Sequence, residues 1–143
     1  VETAQVNNWF DYASTGLLLV MLAFLLFRTQ ILTRMYQIRL MSVHQLAQRL
    51  KSTEPPLLVD VRTPGEWSTG YIRQSVSAPL AELRGRREEI LRRGNGRDIV
   101  VICERGQRSL MGAVTFRRAG AATVYSVVGG ISHWRGQGYP VLT

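Results

Sequence analysis

Ile99-Val100-Val101-Ile102-Cys103-Glu104-Arg105-Gly106-Gln107-Arg108-Ser109 is the stretch on which the reading of this chain turns. Its first four residues read as a short strand in the middle of a sheet. The strand ends on a cysteine, a Gly/Arg loop follows, and residues from Gln107 through Leu110 to Ala119 read as helix. This layout suits an anion. The strand delivers the sulfur, while loop amides and a helix N-terminus point at whatever negative group the sulfur carries. Arg105 and Arg108 add positive potential, which favours the nucleophilic thiolate. A purely structural cysteine, the commoner role for a lone thiol, needs neither the glycine nor the arginines. Cys103 is therefore read as reactive.

It is also the only cysteine among 143 residues. No intramolecular disulfide and no zinc site built on several thiolates can form, and a resolving thiol must come from another molecule.

Outward from this loop, β-like and helical runs alternate. Ser42 caps a helix over Val43 to Leu50, and Pro55-Pro56 stops the chain. Leu57 to Val61 reads as a buried strand, Pro64 to Ser68 as a short helix opened by proline, and Ala81 to Arg93 as a helix ended by Gly94-Asn95-Gly96. Thr123 to Val127 is a further strand, and a short helix around Ile131 to Arg135 follows Gly129-Gly130. Alternation of this kind implies an α/β fold with a parallel sheet flanked by helices. Ligands of such sheets bind at the carboxyl ends of strands, where Cys103 lies.

The N-terminal part differs in composition. The net charge is +8, yet residues 1–27 hold Glu2 and Asp11 and no Lys or Arg. All 18 basic residues lie in 28–143, against eight acidic ones. Gly16 to Phe27 is unbroken apolar sequence. Extended back to Trp9 it is long enough for one transmembrane helix, with Trp9, Phe10 and Tyr12 as an interfacial cluster and Arg28 closing the other end. A cleaved signal peptide would want a basic start and an Ala-x-Ala-like site, and neither is present. The expected organisation is a short tail over 1–8, a transmembrane helix over 9–27, a juxtamembrane connector over 28–41 and one α/β domain over 42–143. Arg28, Arg34 and Arg39 place that domain in the cytoplasm by the positive-inside rule, on a single-pass protein of the inner membrane. Seventeen arginines against one lysine point to a GC-rich bacterial source.

Five landmarks, in order, resemble those of the rhodanese domain. Leu58-Val59-Asp60-Val61-Arg62 with Glu66-Trp67 is similar to the first family signature. Gly70-Tyr71-Ile72 with Ala78-Pro79-Leu80 is similar to its Gly-His-Ile and Ile-Pro segment. The Cys103–Ser109 loop resembles the active loop, and Gly129-Gly130-Ile131 with Trp134, then Gly138-Tyr139-Pro140-Val141, resemble the C-terminal end. The resemblance covers about residues 41–143. It implies a thiosulfate sulfurtransferase-like enzyme without cofactor. Cys103 would take a sulfane sulfur from a donor such as thiosulfate, hold it as a persulfide, and yield it to a thiol or cyanide acceptor. It further implies that Glu104, Arg105, Gly106, Gln107, Arg108 and Ser109 form the substrate-binding loop, and that Asp60 and Arg62 support the site. Two residues depart from the pattern: Tyr71 replaces the usual histidine, and Glu104 sets a negative charge directly after the nucleophile.

Two rival readings compete with this one. A related fold binds phosphate or arsenate with a loop one residue longer, Cys-x5-Arg. Here Ser109 stands where that arginine would be, and a phosphate would be cramped. The other rival is an accessory or scaffold subunit of a membrane complex. Arg84, Arg86, Arg87, Arg92, Arg93 and Arg97, with Glu82, Glu88 and Glu89 interleaved, read as a solvated helix surface, or as a face for lipid headgroups or an acidic partner. No stacking aromatics accompany them, which argues against nucleic acid. His44 and His133 read as surface or packing residues, and no metal site is expected.

Overall fold

In the computed structural model the backbone is described from Glu2 to Thr143 and side chains from Asn8 onward. Eleven elements follow one another: α1 (Glu2–Tyr36), β1 (Arg39–Met41), α2 (Val43–Arg49), β2 (Leu57–Asp60), α3 (Pro64–Ser68), β3 (Ser75–Ser77), α4 (Leu80–Gly94), β4 (Ile99–Ile102), α5 (Gln107–Arg118), β5 (Val124–Val127) and α6 (Gly130–Gly136). The chain divides into two compact units, residues 1–31 and 32–143.

The second unit is built on a five-stranded, all-parallel sheet in the order β1-β5-β4-β2-β3. Its strands are short, and the inner ones are buried on both faces, so the period-2 alternation separates two cores rather than core from solvent. Leu57, Val59, Val61, Ile99, Val101 and Cys103 join Leu83, Ile90, Leu110 and Phe116 on one face. Leu58, Val100 and Ile102 join Leu46, Ile72, Ile131 and Trp134 on the other. Cys103 continues the alternation by one step beyond β4.

Local chemistry fixes the helix starts. Ser42 and Gln45 form a reciprocal capping box on α2, and Thr63 and Glu66 do the same on α3, where Pro64 opens the helix. The end of α4 is Asn95 in the left-handed conformation, at φ 48°.

The stretch expected as a connector over 28–41 is helical as far as Tyr36, and Arg39–Met41 is then strand β1, paired with Tyr125, Ser126 and Val127. Met35 is exposed and Ile38 is buried, while Leu32 and Tyr36 pack on the core. The tail expected over 1–8 falls partly on Val1, outside the described residues, and otherwise on helical backbone.

The first unit is helix. Asn8–Tyr36, 29 residues, is the one segment among the described residues long and apolar enough to cross a membrane, and its apolar window is fully unburied. At about 1.5 Å per residue it is about 43 Å long, close to a bilayer with its headgroups. A signal sequence meets the same criteria of length and composition. Trp9 and Phe10 pack edge to face near its start, 5.2 Å between ring centres.

Candidate active site

β4 is an inner strand, and Cys103 follows its carboxyl end directly. The side chain is nearly sealed, with the residue 1% exposed. Its sulfur accepts a hydrogen bond from the Gly106 amide at 3.0 Å. Gly106 has φ 97° and caps α5, and no side chain caps that helix. The sulfur therefore sits over the positive start of a twelve-residue helix, in a turn curled tightly enough to aim an amide at it.

Glycines close the loop from above. A Cβ on Gly106 would press on the Gly129 nitrogen and the Val127 carbonyl oxygen. One on Gly130, at φ 59°, would collide with the backbone of Cys103 and Glu104. Without those side chains the start of α6 hydrogen-bonds the loop directly: Ile131 N–H donates to the Cys103 carbonyl at 2.9 Å and Ser132 N–H to that of Glu104 at 3.0 Å. The sequence flagged Gly129-Gly130 as a landmark without a role. Gly130 allows this backbone-to-backbone approach, while a Cβ on Gly129, at φ 76°, would meet the His133 side chain.

Charged groups surround the loop as linked pairs. Arg62 is fully buried and forks onto Asp60, with Nη2 2.8 Å from Oδ2 and Nε 3.0 Å from the same oxygen. Its remaining protons go to the Glu66 carbonyl, the Gly70 carbonyl and, at 3.3 Å, the Glu104 carboxylate. Burial works against its charge, but the hydrogen bonds and attraction of Asp60, then of Glu104, outweigh that and raise its pKa. Glu104 also accepts from Ser132 Oγ at 2.7 Å and lies 4.0 Å from Arg135. Its negative charge after the nucleophile is thus shared between two arginines.

Arg108, expected in the substrate-binding loop as a source of positive potential, is held in a two-pronged pair with Glu66, at 2.7 and 2.5 Å. Glu66 stood in the first signature only as a landmark, 42 residues away from Arg108 in sequence. Arg105 is exposed. The Ser109 side chain turns away into the sheet and bonds Ser126 at 2.9 Å, so it could serve the loop only through its backbone. Tyr71 stacks on Trp67 with ring centres 4.4 Å apart, and its backbone pairs with Leu142. That packing accounts for an aromatic where the family pattern has histidine. His44 bonds the Tyr139 hydroxyl at 2.8 Å, and His133 is exposed.

The Arg108 fork, opposed by burial and reinforced by Thr63, holds the Glu66 carboxyl down at about 2, against an ordinary 4.5. The folded-state pKa lies below the unfolded one. The stabilisation is therefore complete above about pH 4.5 and fades as pH falls toward 2. Thermal unfolding should show Tm dropping through that window, with a shallower drop in Glu66→Gln. An identical drop in the variant would assign the acid sensitivity to other carboxylates.

The model of the rhodanese-like domain matches residues 42–137. The chain belongs to the rhodanese family. A sulfurtransferase of Allochromatium vinosum is 36% identical over 97 residues, covering 68% of this chain and 88% of that protein. The chloroplastic thiosulfate sulfurtransferase 16 of Arabidopsis thaliana is 31% identical over 91 residues, covering 57% and 76%. Among solved structures, a rhodanese-related protein from Thermoplasma volcanium superposes with TM-score 0.63 at 34% identity, over 73% of this chain and 97% of that one. The rhodanese fold expected from the sequence is therefore the fold observed, and sulfur transfer is the general chemistry of the family to which the chain belongs.

Proposed function

We propose that this rhodanese is a membrane-anchored sulfurtransferase that carries sulfane sulfur as a persulfide on Cys103. The observation that supports this reading most is the sulfur held 3.0 Å from the Gly106 amide at the start of α5. With thiosulfate, the Cys103 thiolate attacks the outer sulfur. A Cys–S–S bond forms, the S–S bond of thiosulfate breaks, and sulfite leaves with the electron pair. A cyanide or thiolate acceptor then attacks the terminal sulfur, and Cys103 departs as thiolate. The step as written begins from the thiolate, which is the nucleophilic form of a cysteine, and uses no general base. The loop amides from Glu104 to Ser109, with the helix terminus, hold the anionic persulfide as an oxyanion hole holds its oxygen. Asp60 and Arg62 hold the loop's shape from beneath.

The apolar helix is read as a single-pass anchor in the cytoplasmic membrane, with the rhodanese domain on the cytoplasmic side. The charge step supports this orientation: Lys and Arg are missing before Arg28 and recur after it. An acceptor or donor in a membrane complex suits such a tether.

Intact mass after thiosulfate tests the chemistry. A cyanide-labile gain of one sulfur is expected, and no gain with thiosulfate or other sulfane donors would overturn the reading. Glu104 should tune the donor. Its carboxylate adjoins the nucleophile, and a dianion entering there meets repulsion of about 1 kcal/mol in a solvated site. Glu104→Gln should raise kcat/KM for thiosulfate roughly fivefold. If the value is unchanged, the pairs with Arg62 and Arg135 neutralise the carboxylate completely.

A further inference from the structure

We propose that the groove between α4 and α5 is a docking surface for anionic phospholipid headgroups. This rests on the anchored reading above and adds to it a second, electrostatic contact made by the domain itself.

The groove encloses about 580 Å³ and is lined by Arg84, Arg87, Met111, Val114, Thr115 and Arg118. Three guanidinium groups line it and no carboxylate does. The spacing is helical on both sides: Arg84 and Arg87 are three apart on α4, and Met111, Val114, Thr115 and Arg118 form one stripe on α5. The neighbouring Arg86 is satisfied, within 4 Å of both Glu82 and Glu89 and bonded to the Ser77 carbonyl. Arg84 and Arg87 have no ion pair among the described residues, although Glu88 follows Arg84 by four positions. Glu82 and Glu89 thus pair with Arg86, and no carboxylate lines the groove itself. Met111, 45% exposed, puts an apolar side chain among the arginines. Arginines around an apolar centre are what an anionic bilayer surface takes up.

The path of the chain favours lipid over an acidic protein. Arg118 lies 5.7 Å over the Tyr36 ring, and Arg117 donates to the Tyr36 carbonyl at 2.9 Å and to the Gln37 side chain at 3.1 Å. The groove's end of α5 is thereby fastened to Tyr36. The apolar run stops at Phe27, nine residues earlier. Nine residues span at most about 30 Å even when fully extended. Whatever the orientation of the two units, the headgroup layer is within reach. The cysteine loop lies at the opposite end of α5, about 17 Å away by helix rise, so docking here leaves that loop uncovered.

The test uses the full chain in nanodiscs of phosphatidylcholine alone or with phosphatidylglycerol, footprinted by arginine-specific labelling and mass spectrometry. Labelling of Arg84, Arg87 and Arg118 should slow roughly fivefold in the anionic discs, and high salt should abolish the protection. Arg84→Gln/Arg87→Gln should remove the protection of Arg118 while leaving sulfur transfer in detergent unchanged. Equal labelling in the two lipids overturns the proposal. So does equal protection by inorganic phosphate in neutral discs, which would assign the groove to a soluble anion, or protection only on adding an acidic protein. Carbonate-resistant retention in neutral discs is scored separately. Its loss sinks the anchor and leaves the groove to be judged on vesicles containing phosphatidylglycerol.

Discussion

Cys103→Ser is expected to fold like the parent and to accept no sulfur. The substitution is nearly isosteric at a site 1% exposed, and a serine hydroxyl can still take the hydrogen bond from Gly106. Stability should stay within about 1 kcal/mol, as for other substitutions that conserve volume and polar satisfaction. Chemistry should fail for a different reason. A serine hydroxyl is not appreciably ionised at neutral pH, and nothing in the loop is placed to remove its proton. Transfer from thiosulfate to cyanide should therefore fall at least about a thousandfold, as when other enzymes lose their nucleophile. The cyanide-labile mass gain should vanish with it. Residual turnover above about one per cent would mean that sulfur passes from donor to acceptor without a covalent carrier. The same variant separates enzyme from scaffold. A docking module should keep its cellular role in Cys103→Ser, and a sulfurtransferase should lose it.

Arg62→Ala should give the largest loss of stability in the domain. Arg62 has no exposed side-chain surface, and its forked partner Asp60 is 1% exposed. Truncation strands that carboxylate in the interior and releases the carbonyls of Glu66 and Gly70 together with the carboxylate of Glu104. Removing one member of a buried pair costs about 3–5 kcal/mol, which is a large share of the roughly 5–15 kcal/mol that holds a domain folded. Arg62→Lys should be nearly as damaging, since an ammonium cannot reproduce the planar fork. Asp60→Leu/Arg62→Met should recover part of the loss, because a buried ion pair exchanged for packed apolar groups is often close to neutral. Denaturant titration of the domain's tryptophan fluorescence reads all three. A shift below about 1 kcal/mol for Arg62→Ala would show that water reaches Asp60 and that the pair is not sealed.

The sequence was most legible where a residue's role is local or its element is buried on both sides. Leu57 to Val59 and Ile99 to Ile102 are unbroken apolar runs, and both lie in inner strands. The capping boxes at Ser42 and Thr63 act over three residues, so both helix starts could be read directly. Edge strands escaped. Arg39-Leu40-Met41 has a single buried residue, and Ser75-Val76-Ser77 has none fully buried. Neither carries a hydrophobic period, and their strand conformation comes from a neighbour distant in sequence. The loop residues could likewise be named in advance, but not the pairing of Arg108 with Glu66 or of Arg62 with Glu104, each 42 residues apart. The Asp60–Arg62 contact, two residues apart, lay inside a motif that was already visible. Charge partners chosen by folding have no period to betray them.

The pairing of β1 with β5 has a consequence for how the protein is made. Arg39–Met41 follows directly on the first helix, yet its sheet partner is Tyr125–Val127, close to the opposite end of the chain. During synthesis the helix and β1 emerge first, and β1 has no neighbour until β5 has been translated. The strand that follows the first helix is therefore among the last to be fixed, after a closure over more than eighty residues that is intrinsically slow. A nascent or truncated chain ending before Val124 would present β1 and the outer edge of β4 together as open templates. Quality-control proteases and chaperones would meet the protein first in this unfinished form.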